Sequence, residues 1–388
     1  MGTECSFALL TTNQEGYKIP VISCRNGNGA YSEMEEFVRI SKRTTTRIAL
    51  LGTMGLLLSA CASQAEVAPT AGGQGEQPAQ VEVITLDFST QSVPDDHHTQ
   101  AIYKFAELVS EATDGRLQIT VHDSGSLMDQ NTEQDAIQRG DVDMVYTSPQ
   151  WIQGQVPQVG LLGVPYMIKD LDHLYAVHDS EIGEELYALV VEELGIRPLT
   201  SMYLGARQLN LAASVNRIET PADLAGVNLR VPDADAWIEM GNALGANPTP
   251  VAFSELYLAL ETGTVDGQDN PLSTTINAAF YEVTGQVALS NHLINDVWPT
   301  INEAKWQSLD AELQTAIIEA WVEARAFGTA IALENEAAAV AYLEAAGLEV
   351  YTPNVAAFRE HVLGIYLGDD ERTGQWIPGM LERVQALS

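Results

Sequence analysis

The chain has 388 residues, 46% of them hydrophobic, which is enough to bury the cores of two modest domains. Its 19 basic residues against 53 acidic ones leave a formal net charge of −34, which repels phosphates and anionic head groups and so excludes nucleic acid and acidic lipid as partners. The acidic residues are spread along helix-like segments, and lysine occurs only at Lys18, Lys42, Lys104, Lys169 and Lys305, a surface suited to salty water.

Residues 1–33 carry no clear signal or domain pattern, and Met34 is the expected true start. Lys42, Arg43 and Arg47 then precede an apolar run over 48–58, the length of a signal-peptide core and too short to span a bilayer. Leu58-Ser59-Ala60-Cys61 is similar to a bacterial lipobox. The alternative is an ordinary signal peptide with an incidental cysteine. Cys61 is the expected lipidation site, making 1–60 a leader, and the chain an anchored lipoprotein outside the cytoplasm. Cys5 and Cys24 lie upstream, so the mature body holds no thiol for a disulfide, a metal or a nucleophile. Residues 61–80, small and polar, read as a flexible tether.

Strands are predicted over 81–88, 117–121 and 142–147, with helices over 96–113, 131–139 and 181–194 between and after them. Gly115, Gly140 and Gly195 supply the stops. A second set follows, with strands over 206–212 and 227–231, helices over 234–244 and 255–260, and extended segments at 283–289 and 297–302. Alternation of this kind implies α/β layers. Residues 310–346 contain no proline and one interior glycine, Gly328. They form either one helix of about 55 Å or two helices broken near that glycine.

The wording between Gly226 and Pro271 is the most specific in the chain. It runs Gly226-Val-Asn-Leu-Arg230-Val-Pro232, then Pro250-Val-Ala-Phe253-Ser-Glu255, then Val265-Asp266-Gly267-Gln-Asp-Asn270-Pro271. Together with Phe105-Ala-Glu, Gly140-Asp-Val-Asp143, Val164-Pro165-Tyr166 and Thr220-Pro-Ala-Asp223, this order resembles the solute receptors of TRAP transporters, the tripartite ATP-independent periplasmic transporters. The resemblance covers most of 81–365. It implies an α/β fold of two lobes, periplasmic-binding-protein-like of type II, with a long helix spanning both. Residues 81–204 and about 296–335 would form the first lobe, and 205–295 with about 336–388 the second.

Arg230 ends an apolar strand before a proline, and its planar fork matches a carboxylate in two bonds. Only thirteen basic residues remain after position 60, so an arginine inside this motif stands out. The resemblance makes Arg230 the carboxylate clamp, Arg207 a second arginine on the same acid, Asn270 an amide ligand and Phe253 a wall. Asn270 reads equally as a helix cap and Phe253 as plain core. Ser254 and Glu255 read as helix-start residues. From the other lobe, Gln91, Ser148 and Trp151 are the candidates. Asp233 would repel a second carboxylate and accept hydroxyl donors, favouring a sugar acid or uronate over a C4-dicarboxylate. Trp151 or Trp237 could stack on a sugar face or simply be core. Sialic-acid receptors carry an acid near Ser148 and asparagines near Gln91 and Asp233, and this chain departs at all three.

No Gly-x-Ser-x-Gly, phosphate-loop or His-Glu-x-x-His motif is present, and His97 and His98 point apart on a helix. The reading is therefore a monomeric, non-enzymatic receptor with no cofactor and no metal. It would bind a small organic acid anion and deliver it to TRAP membrane permease subunits. The alternatives are a receptor feeding a sensor kinase and an exported carboxylate-dependent hydrolase.

Overall fold

A computed structural model describes residues 83–387 and two strand segments nearer the N-terminus. The chain divides into two units, Met1–Gly75 and Glu76–Ser388. In the first, β1 (Glu4–Thr12) pairs antiparallel with β2 (Lys18–Arg25), where no pattern was expected. The apolar run, Cys61 and the tether lie outside the described residues.

The second unit is built on ten strands: β3 (Ile84–Ser89), β4 (Leu117–His122), β5 (Met144–Thr147), β6 (Ile196–Pro198), β7 (Met202–Leu211), β8 (Asn228–Val231), β9 (Asn247–Pro250), β10 (Gly267–Pro271), β11 (Gln286–Asn302) and β12 (Glu349–Tyr351). Their order, β4-β3-β5-β11-β7-β10-β8-β9, has β6 and β12 paired to the two ends of β11. This is a two-lobe α/β fold. In one lobe β3, β4 and β5 run parallel. In the other β8, β9 and β10 run parallel. The long strands β7 and β11 pair antiparallel and carry the chain through both lobes.

The two extended segments expected at 283–289 and 297–302 are thus one 17-residue strand. It is bent, with register shifts between Ala288 and Leu293 and between Asn295 and Asp296, and Asn291 at φ 45°. Gly267 opens β10; a Cβ there would meet Leu211 Cδ2 at 2.5 Å and Asn210 O at 2.8 Å, so only glycine lets β10 lie this close to β7. Ser254 is no helix cap. It sits inside the 3₁₀ turn Phe253–Glu255, and no side chain caps either that turn or the helix Leu256–Glu261.

Of the two forms open for 310–346, the chain takes the continuous one. The helix Ala311–Ala345 has Asp310 as its cap, accepting from the Leu313 N–H. Its first half (Leu313, Ile317, Trp321, Ala324) packs into a core with Leu86, Phe88 and Phe105. Its last turns (Ala339, Leu343) pack with Leu272, Val287 and Leu348 of the other lobe. Gly328 is a notch rather than a break. A Cβ there would meet Met202 Cε at 2.5 Å and Ala101 Cβ at 2.8 Å. The last helix, Met380–Ala386, lies against the helices Leu171–His178 and Glu181–Leu194, with Arg383 bonded to Glu185 at 2.7 Å and His173 Nε2 2.8 Å from the Val384 carbonyl.

Candidate functional site

Six parallel strand ends meet around one cavity of about 100 Å³. In α/β sheets the carboxyl ends of the strands are where ligands sit. From the first lobe, the segments after β3, β4 and β5 supply Gln91 and Asp96, then Gln130 and Glu133, then Thr147, Ser148 and Trp151. From the second, β7 supplies Arg207 and β10 Asn270, and Phe253 follows β9.

Arg207 is 4% exposed. Its Nε donates to Asn295 Oδ1 at 2.9 Å, and its Nη1 donates to the Asp269 carbonyl at 2.6 Å and carboxylate at 3.0 Å. Its Cζ lies 4.4 Å from the centre of the Trp237 ring, a cation–π contact that occupies that aromatic face. Gly205 permits this arrangement. At φ +126° a Cβ would meet Pro271 Cβ at 2.7 Å, so only glycine lets β7 pass β10 here. Asp269 is fully buried and also touches His292 Nε2 at 3.2 Å. Burial pushes its carboxyl up, but the Arg207 charge and the His292 bond outweigh this and hold it below the usual range.

Arg230, on β8, is 1% exposed and sits behind the lining. Its Nε donates to the Val251 carbonyl at 2.8 Å and its Nη2 to Gln130 Oε1 at 3.2 Å. Among the described residues it forms no ion pair, and its Nη1 has no hydrogen-bond partner. Burial pulls it down to about 9; Asp269 opposes the shift and Arg207 adds to it.

Asn270 is buried, with its Nδ2 2.5 Å from Gln268 Oε1, and it belongs to β10 rather than capping the helix that follows. Phe253 is half-buried, edge-on to Phe280 at 5.6 Å, and its N–H donates to Gln130 Oε1 at 2.8 Å. Gln91 lines the cavity while its Nε2 donates to the Met128 carbonyl at 2.8 Å. Ser148 is buried and its Oγ has no partner. Trp151 borders both this cavity and a neighbouring one. Asp233 does not line the site. It is exposed, on the rim of that neighbouring cavity, because the chain turns outward after Pro232.

Three acceptors of the first lobe had no motif to announce them. Asp96 heads the helix His97–Ala112 and is 1% exposed, and its Oδ2 is unpartnered. Burial pushes its carboxyl up to about 6. Glu133 accepts from Ser89 Oγ at 2.8 Å, and burial pushes it up to about 7. Gln130 lies in a polar loop that reads as plain surface. The signal that could have found all three is position, since each follows a parallel strand of the first lobe.

Residues 88–368 match the family described as bacterial extracellular solute-binding protein, family 7. The chain is 32% identical over 276 residues to the sialic acid-binding periplasmic protein SiaP of Vibrio cholerae, covering 71% of this chain and 85% of that one. Among solved structures it is similar to a TRAP periplasmic solute-binding protein of Roseobacter denitrificans with bound 3-deoxy-D-manno-oct-2-ulosonic acid. That likeness has a TM-score of 0.75, 40% identity, and coverage of 79% of this chain and all of that one. A second from the same organism, holding β-D-glucuronate, gives a TM-score of 0.73 at 30% identity and covers 78% and 100%.

Proposed function

Since the chain belongs to the family 7 extracellular solute-binding proteins, extracytoplasmic binding proteins of TRAP transporters and not enzymes, we propose that it captures a sugar acid between its lobes on a clamp of Arg230, Arg207 and Asn270. The observation that carries this reading is the charge balance of the buried group. Of the two buried guanidiniums, Arg207 is paired with Asp269, and Arg230 forms no ion pair among the described residues. A buried cation without a partner is costly, and one bound carboxylate removes that cost.

The rest of the lining argues for hydroxyls on the ligand. Asp96 Oδ2, Thr147 Oγ1 and Ser148 Oγ are buried without partners, and buried polar atoms of this kind seek donors and acceptors. Asp96 and Glu133 would repel a second carboxylate, so a uronate or other hydroxylated monocarboxylate ranks ahead of a C4-dicarboxylate. The role first expected of Asp233 thus passes to these two acids. Relatives solved with a ulosonic acid and with glucuronate support the same class.

Delivery to a membrane permease follows the family's role. We place β3–β6, the C-terminal part of β11 and the final helix in one lobe, and β8–β10, β12 and the N-terminal part of β11 in the other. A lipid on Cys61 with a tether over 61–80, and a monomeric receptor, complete the proposal; the intact mass of the exported protein checks the lipid.

The central test is calorimetric titration with D-glucuronate, 3-deoxy-D-manno-oct-2-ulosonate and succinate. The sugar acids are expected to bind more tightly than succinate. Arg230→Ala should weaken binding by about 3–5 kcal/mol, since the ligand's buried carboxylate would lose the cation that has no other anion. Retention of affinity within a few-fold would end the clamp assignment.

A further inference from the structure

We infer that Gln130 is a built-in stand-in for the ligand: its side-chain oxygen occupies the seat of one oxygen of the incoming carboxylate and must withdraw before the acid can bind. The inference rests on the reading of Arg230 as the anion clamp.

Gln130 lies in the loop between β4 and the helix Glu133–Arg139, in the lobe opposite Arg230. Its Oε1 accepts from two donors at once, the Phe253 N–H at 2.8 Å and Arg230 Nη2 at 3.2 Å. One cationic N–H and one backbone N–H converging on a single oxygen are the donors a carboxylate oxygen uses. No other side chain among the described residues bonds to the Arg230 guanidinium, whose remaining bond runs from Nε to the Val251 carbonyl. The amide dipole of Gln130 is therefore the partner that makes this burial tolerable in the empty receptor.

The exchange is oxygen for oxygen. A carboxylate carries a full charge where the amide carries a partial one, so it wins the seat on electrostatics. Until it does, Gln130 ties the β4 loop to the wall of the other lobe and competes with the ligand. Competition of this kind lowers apparent affinity by the fraction of receptor in which the seat is free.

Two variants of the full-length protein test this, Gln130→Ala and Gln130→Glu. In the unliganded protein, Gln130→Ala is expected to speed hydrogen exchange at the Phe253 amide by roughly tenfold, because that N–H loses its acceptor. With D-glucuronate as the probe, Gln130→Ala should bind about 3–10-fold more tightly and Gln130→Glu at least tenfold more weakly, a tethered carboxylate being a stronger rival than an amide. Weaker or unchanged binding by Gln130→Ala overturns the inference, since Gln130 would then be an ordinary ligand contact or a bystander. If the wild type does not bind glucuronate, the proposed substrate class falls, and the exchange rate alone decides the role of Gln130. Unchanged protection at Phe253 overturns it.

Discussion

Glu133 shows how one side chain links the site to pH. Its carboxyl is buried against Ser89, and burial raises it from 4.5 to about 7. A carboxyl raised on folding contributes stability that is fully present below its unfolded value, near 4.5, and is lost as pH climbs through about 7. Glu133→Gln removes the titration. The wild type should therefore lose unfolding free energy relative to Glu133→Gln between pH 4.5 and 7. Urea unfolding at a series of pH values measures this, and a constant difference would refute it. Asp96 acts in the same direction up to about 6. Neither acid was legible in the sequence. Against 53 acidic residues, two that happen to be buried look like the rest until the fold closes over them. Arg230 stands out in the sequence for the opposite reason, as a rare cation inside a specific run of words.

At the scale of the element, helix ends were the readable part. Gly140 and Gly195 end their helices in the left-handed conformation where glycine stops were expected. The strand β11 was not readable. Its middle, from Ser290 to Asp296, carries Ser, Asn, His and Asp, a composition that reads as loop. Ser290, His292, Asn295 and Asp296 are buried all the same, each satisfied by a specific partner such as Asp269, Arg207 or Trp298. Pairwise satisfaction leaves no trace in hydropathy. Gly328 is the opposite case, a helix breaker by composition that the structure uses for contact. Gly328→Val forces a side chain into Met202 and Ala101 and should cost about 1–3 kcal/mol by overpacking. Denaturant unfolding tests it, and a loss no greater than the propensity change alone would show that the two helices can part freely.

At the scale of the whole molecule, the net charge of −34 sets the response to salt. Self-repulsion among exposed carboxylates works against the compact state, and the Debye length shrinks from about 30 Å at 0.01 M to about 8 Å at 0.15 M. The melting temperature should accordingly rise from low to marine salt. A flat or falling curve would show that the acidic surface is not strained by its own charge. The lobe carrying β8, β9 and β10 holds the recognisable words, because Arg230 and Asn270 sit on its strands. The other lobe presents loop residues, whose identity follows the ligand rather than the fold.

The chain crosses between its lobes along β7, along β11, along the 35-residue helix Ala311–Ala345, and once more between Tyr351 and Met380. The first three of these crossings are regular hydrogen-bonded backbone rather than slack peptide. Any gape of the mouth has to be taken up as curvature distributed over backbone that stays hydrogen-bonded, much as a leaf spring takes up load.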